Sequence, residues 1–340
     1  MRAAVYHGPR DIRIEPVPEP ADPAAADVVI RVSRAAICGT DSSEWAHGPL
    51  LAQPPVVLGH EFVGEIVAAG PEAGALGVGD RVVCGAGISC GTCDWCRAGR
   101  TNLCAHYRTI GLHVDGGLAE YVSSPAGICL AVPEALTDDA AAIAQPLAVA
   151  LHAVRRSGLC RGQSCAVIGV GGIGAFIVAA AAAAGASPLI ALDIDEDRLA
   201  TARTLGAATV IDARGRELDA AILQATGGEG ADVVIEASGT AGAPAAATRA
   251  ARRGGRVLLV GLQAAPRELD LLSLTVREVE ISTTLAHVCD VDLPEALTLL
   301  RSTDLAPAVT DQVIALDELV PHGIEPLAGG TARGKIVVAP

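Results

Sequence analysis

The stretch Cys165–Asp193, "CAVIGVGGIGAFIVAAAAAAGASPLIALD", decides how the chain is read. A short apolar run ends at Ile168, and Gly169, Gly171 and Gly174 follow in G-x-G-x-x-G spacing ahead of a helix-forming alanine run. In a strand-turn-helix the first glycine permits the tight turn, the second lets a pyrophosphate approach the backbone, and the third lets helix and strand pack closely. Gly172 and Ile173 complete the turn, and the helix N-terminus behind them faces phosphate. A second apolar run ends in Asp193, nineteen residues beyond Gly174. A carboxylate there accepts hydrogen bonds from an adenosine ribose and repels a 2′-phosphate, so the spacing predicts a dinucleotide site that favours NAD over NADP.

Cys165 to Ala186 is also long and apolar enough to score as a membrane span. Its glycines weaken that reading, since a strand turning sharply into a helix requires them. Beyond "QPLAVALHAVRRSG" the chain alternates strands with helical stretches. "SCAVIGV", "PLIALD", "TVID", "ADVVIEAS", "GRVLLVG" and "EVEISTTLA" give six strands, which predicts a parallel doubly wound α/β sheet over residues 148–288. Residues 1–147 read instead as short alternating strands broken by Gly and Pro, an irregular β domain. The tail, "VDLPEALTLLRS" and then "GKIVVAP", does not extend the repeat, and residues 289–340 are expected to return to the first domain.

Composition agrees with two domains. The 340 residues exceed one small core, and 51% hydrophobic with 2% aromatic residues means a core of Ala, Val, Leu and Ile. A net charge of −14 argues against nucleic acid and anionic membrane surfaces as partners. Lys335 stands alone among 25 basic residues, which reads as base bias and not as function. The start, "MRAAVYHGPRDIRIEP", lacks a signal-peptide pattern, and the cytoplasm is the expected compartment. Ten cysteines are then expected to hold metal and not disulfides.

Cys90, Cys93, Cys96 and Cys104 form C-x2-C-x2-C-x7-C. Four thiolates with no water position make a closed tetrahedral site, the structural use of zinc. An iron–sulfur cluster is the rival use of such ligands, though nothing else in the chain suggests electron transfer. Upstream, "AAICGTDSSEW" and "VVLGHEFVGE" carry Cys38, Thr40, Asp41, His60 and Glu61. A mixed thiolate, imidazole and carboxylate set leaves a position for substrate, and Asp41 can fix the second ring nitrogen of His60. Spacing alone leaves open that Cys38 and His60 are buried structural residues.

Taken together, "CGTD", "GHEFVGEIV", the four-cysteine loop, "DGGLAEYV", "PLAVALHAVRRSG" and "GVGGIG…ALDID" resemble the zinc-containing medium-chain alcohol dehydrogenases over essentially the whole chain. Within that family the polyol branch of butanediol, sorbitol and threonine dehydrogenases looks most similar. The resemblance implies a groES-like catalytic domain, a Rossmann domain, and a cleft between them where the nicotinamide meets zinc. It also implies a homodimer or homotetramer. Cys38, His60 and Glu61 correspond to catalytic-zinc residues, and Thr40 to the hydroxyl that takes the alcohol proton. Asp193 corresponds to the ribose acid with Arg198 beside the adenosine, and Leu112 and His113 to substrate-pocket positions. The cysteine lobe is similar to a structural-zinc lobe near subunit contacts.

Two departures stand out. The family's "EPLAVA" has Gln145 in place of its glutamate, which affects the metal's outer ligand, and Ser43 stands where a relay histidine is usual. His47 in "EWAHGP" is either a substitute relay or an exposed loop histidine. The expected function is reversible NAD-dependent oxidation of a secondary alcohol, a diol, polyol or cyclitol. An amino-alcohol dehydrogenase and a non-catalytic zinc protein that senses NADH are the alternatives. A sensor has no need of Cys38 with His60, so two zincs per chain favour the enzyme and one the sensor.

Overall fold

The computed structural model describes residues 1–263 and 265–340. Two compact units form, one from Met1–Ala148 with Val288–Pro340 and the other from Val149–His287.

The contiguous unit is a six-stranded sheet ordered Thr209–Asp212, Leu189–Asp193, Cys165–Ile168, Ala231–Glu236, Ala251–Leu259, Glu280–Thr283. Every neighbouring pair is parallel. In sequence terms the order is 3-2-1-4-5-6, which reverses beside the first strand and opens a crevice at the strands' carboxyl ends. Cys165–Ile168 is buried along its whole length, as a central parallel strand covered on both faces must be. The helix Gly172–Ala183 buries Ala175, Phe176, Ile177, Val178, Ala180 and Ala181, too wide an apolar arc for a surface helix. Its twelve residues span about 18 Å at ~1.5 Å each, short of a ~30 Å bilayer core. Among the described residues no helix is long and apolar enough to cross a membrane.

The other unit is built on a sheet ordered Cys129–Ala131, Arg81–Cys84, Glu61–Ala69, Asp27–Ala36, Lys335–Ala339, Thr310–Ala315, with Tyr121–Pro125 also paired to Asp27–Ala36. The tail supplies two of these strands, and Ile314, Ile336 and Val338 pack in one core with Ile30, Ile37 and Phe62. A ribbon of Gly87–Ile88 against Arg108–Thr109 closes the base of the cysteine loop. Register decides what meets at one end of the large sheet. Ala36 lies opposite Glu61 on one side and Val337 on the other, so the chain leaving Ala36, the start of Glu61–Ala69 and the start of Lys335–Ala339 converge.

Candidate active site

Cys38 leaves the sheet two residues beyond Ala36 and caps the helix Gly39–His47, while His60 directly precedes the strand Glu61–Ala69. The donor atoms of Cys38, His60 and Glu61 therefore lie within 4.8 Å of one another. Thr40, in the first turn of that helix, places Oγ1 3.6 Å from the Cys38 sulfur. Asp41 is fully buried, and its Oδ2 accepts the Cys38 backbone N–H at 2.9 Å. Its Oδ1 lies 3.8 Å from His60 Nδ1, beyond hydrogen-bond range. Both atoms are buried with no hydrogen-bond partner among the described residues. A metal-bound imidazole donates its other N–H to such a carboxylate, and Asp41 is the group that faces Nδ1, though the two stop short of a hydrogen bond. A thiolate, an imidazole and a carboxylate suit zinc, so the residues fit that ion. Burial opposes charge on His60, yet Cys38 and then Asp41 outweigh it and push the imidazole up to about 10. Burial likewise raises Asp41 despite the pull of His60. The pocket is an anionic cage that calls for a cation.

Lys335 is the residue that composition misreads. The chain's only lysine is 7% exposed, and its ammonium donates to a Glu61 carboxylate oxygen and to the Ile37 carbonyl, the latter at 3.0 Å. Burial works against its charge, but Glu61 and Cys38 outweigh that and raise it. Removing one partner of such a buried pair costs about 3–5 kcal/mol. The sequence did carry a signal. A chain that uses arginine at every other basic position keeps a compact ammonium at one place, and the two cations are not interchangeable in a tight pocket.

The remaining candidates are placed less closely. Gln145 is buried in the first turn of the helix Ala144–Arg156. Ser43 is half-buried one turn beyond Thr40. His47 is exposed in the last turn of the same helix, seven residues and about 10 Å along the axis from Thr40, so the structure does not bring the two together. Leu112 is buried and its carbonyl accepts the Gln53 N–H at 2.8 Å. His113 uses Nδ1 to accept the Thr109 N–H at 3.0 Å, which ties the ring to its own turn.

The cysteine loop brings the sulfurs of Cys90, Cys93, Cys96 and Cys104 within 4.8 Å of one another. Backbone amides point at them, since Cys104 Sγ accepts from Cys90 at 3.2 Å and from His106 at 3.3 Å. The Thr92 amide heads the donors that hold Cys90 down to about 5, and the Ala105 amide heads those that lower Cys93. Burial, then Cys93, pushes Cys96 up to about 11. N–H donors to sulfur favour thiolate, the form that binds metal. Four sulfurs with no nitrogen or oxygen donor among them make a closed zinc site.

In the dinucleotide unit Gly169 has φ +89°, and a Cβ there would lie 2.7 Å from Ser238 Cα. A Cβ on Gly174 would lie 1.9 Å from the Gly169 carbonyl oxygen. At Gly171 it would meet only Arg198 Nη1, at 3.9 Å, and at Gly172 nothing within 4 Å. The fold thus demands the first and third glycines, while the second keeps open the space a pyrophosphate would fill. Ile173 lies in the first turn of the following helix. Asp193, 7% exposed, accepts from Val170 N at 2.7 Å through Oδ2 and from Ile194 and Asp195 N at 2.8 and 3.0 Å through Oδ1. With about four lone-pair sites on a carboxylate, three are taken. Asp193 therefore holds the glycine turn in shape. Arg198 Nη1 lies 4.0 Å from Asp193. A second acid, Glu236, escaped the sequence reading. Fully buried at the end of Ala231–Glu236, it accepts from Ser238 N, Ser238 Oγ and Gly239 N at 2.7, 2.7 and 2.9 Å, and so fixes the turn packed against Gly169. Its signal is an acid closing the apolar run "ADVVIEASG".

Comparison with known proteins gives this architecture a family. Residues 24–134 match the alcohol dehydrogenase GroES-like domain, and residues 172–302 match the zinc-binding dehydrogenase family. The chain is 36% identical over 266 residues to sorbitol dehydrogenase of Bacillus subtilis (strain 168), covering 77% of this chain and 75% of that one. Its fold matches 2R,3R-butanediol dehydrogenase from Bacillus subtilis with a TM-score of 0.92 at 30% identity, covering 100% and 99% of the two chains. The match to a zinc-binding dehydrogenase from Sinorhizobium meliloti 1021 bound to NADP has the same TM-score and coverage at 32% identity. The chain belongs to the zinc-containing medium-chain alcohol dehydrogenase family. It combines a GroES-like unit with a Rossmann sheet and is a zinc-dependent oxidoreductase of small-molecule alcohols.

Proposed function

We propose that the chain oxidises a secondary alcohol bearing a neighbouring hydroxyl, with NAD as acceptor, and runs the ketone reduction in reverse. The observation that carries this reading is the Cys38, His60 and Glu61 donor set with the Thr40 hydroxyl 3.6 Å from the thiol. Similarity to a sorbitol and a butanediol dehydrogenase supports a vicinal diol or polyol. Zinc held by those donors supplies Lewis acidity toward the alcohol hydroxyl, and the nicotinamide supplies the hydride acceptor. Thr40 takes the hydroxyl proton, and Asp41 keeps the His60 ring in the tautomer that leaves one nitrogen for metal. Gln145 contributes a neutral amide where a charged ligand is usual. Asp193 offers its remaining lone pair to the adenosine ribose and sets a negative charge against a 2′-phosphate, with Arg198 beside it. The same reading places the protein in the cytoplasm as a homodimer or homotetramer.

Metal analysis combined with NAD reduction across diols, polyols, cyclitols and amino alcohols tests it. Two zincs per chain and turnover of a vicinal diol are expected. One zinc without turnover favours an NADH sensor, and turnover confined to amino alcohols moves the substrate class. Asp193→Ser should weaken NAD binding by about 1–3 kcal/mol, the worth of a hydrogen bond to a charged group, and improve NADP relative to NAD. A wild-type protein that already prefers NADP overturns the ribose assignment.

A further inference from the structure

We infer that Lys335 is a positioning residue for the catalytic metal, sharing Glu61 with the ion so that the carboxylate cannot close the metal's open position. This rests on the reading of Cys38, His60 and Glu61 as the metal set. Glu61 is 1% exposed, and its carboxylate both lies within 4.8 Å of the Cys38 and His60 donors and accepts from Lys335. One of its oxygens, Oε2, is therefore committed to the ammonium. Lys335 cannot follow Glu61 if the carboxylate shifts. Its Nζ is also anchored on the Ile37 carbonyl at 3.0 Å, and Ile37 N donates back to the adjoining Ile336 carbonyl at 2.9 Å. Ile37 directly precedes Cys38, so a single ammonium fixes the backbone that aims the thiolate and the carboxylate that would compete with substrate.

Charge points the same way. Cys38, Asp41 and Glu61 bring three negative charges into a pocket where the two carboxylates are at most 1% exposed. With His60 neutral as a ligand, one ammonium and one divalent ion balance them. Without Lys335 the loaded site is left with an extra negative charge, and Glu61 is free to move wholly onto the ion. A guanidinium would bring five donors in a rigid fork, whereas this pocket presents two acceptors, the Ile37 carbonyl and Glu61.

The test measures zinc, without substrate. Zinc-loaded wild type, Lys335→Met, Glu61→Gln and the double variant are challenged with a chelator, with the cysteine-lobe zinc as internal reference. Lys335→Met should release the Cys38-site zinc more slowly, by on the order of 10-fold, the usual size of effect behind metal ligands but of opposite sign, because the freed carboxylate joins the ion. In the Glu61→Gln background the same replacement should change nothing, because the carboxylate it controls is gone. Release unchanged or faster in Lys335→Met, or an equal effect in both backgrounds, makes Lys335 a structural residue and overturns the inference. Should Lys335→Met fail to fold, Glu61→Gln with and without Lys335→Met still decides, since the double variant leaves neither a buried carboxylate nor a buried ammonium unpaired. Equal release supports action through Glu61, and unequal release overturns it. A protein with no zinc at Cys38 fails the functional reading itself, an outcome distinct from two bound zincs that Lys335→Met does not disturb.

Discussion

The cysteine lobe draws its four sulfurs from fifteen consecutive residues, whereas the Cys38 site joins strand ends as remote as Glu61 and Lys335, 274 positions apart. In the lobe the charge of the thiolates is met by backbone amides close in sequence, and Cys90 is exposed. At Cys38 it is met by a buried lysine and a buried histidine. One site is a local wrapping of chain around an ion. The other exists only because three strands of one sheet share a register, so a catalytic metal can be tuned by residues that a closed loop does not possess.

The largest effect should come from breaking the non-local site. His60→Ala should cut alcohol oxidation by about 10³-fold or more, since a Lewis acid contributes several kcal/mol and each 1.36 kcal/mol is a decade in rate. Metal analysis should return one zinc per chain, retained in the lobe. Two zincs with activity lost would mean that His60 acts on the alcohol and not on the ion. Next in size, Cys93→Ser should release the lobe zinc and leave the Cys38-site zinc in place. The fold should lose roughly 3 kcal/mol, on the order of 10 °C in Tm for a unit of this size. Loss of both metals with the fold intact would mean that the two sites are not separate. The smallest change tests tuning. If Gln145 faces the ion as the proposed function has it, Gln145→Glu adds a negative charge there, weakens the Lewis acid and raises the pH at which the alcohol gives up its proton. The alkaline limb of the oxidation profile should then move to higher pH by about one unit with zinc retained. A profile that stays put in the fully metallated variant leaves Gln145 as packing.

The same contrast separates what the sequence revealed from what it hid. The lobe and the glycine turn were legible because each is local, with spacing that states its geometry. The position of Asp193 at the end of the second strand was legible, but its three backbone acceptor bonds were not, since they depend on how the turn folds back over the strand. Cys38 and His60 needed the resemblance, because the twenty-one residues between them say nothing of the Ala36–Glu61 register that joins them. Lys335 was visible only as a count of one, and the sheet order that turned the count into a contact is not written near it. His47 shows the reverse case, for a histidine close in sequence to Thr40 stands two helical turns away and exposed, the second of the two readings its sequence allowed.

The place of the strand Lys335–Ala339, between Asp27–Ala36 and Thr310–Ala315, also imposes a timetable on biosynthesis. On the ribosome the dinucleotide unit is a single continuous segment, and it can fold as soon as His287 has emerged. The GroES-like unit begins earlier yet finishes later, because a gap in its sheet waits for residues made some three hundred positions after Asp27. Until then the Ala35–Ala36 end of that strand lacks its partner on one side, and Glu61 has no ammonium to meet. A nascent chain therefore assembles its nucleotide cradle and its outer zinc lobe first, and the reactive metal pocket matures last.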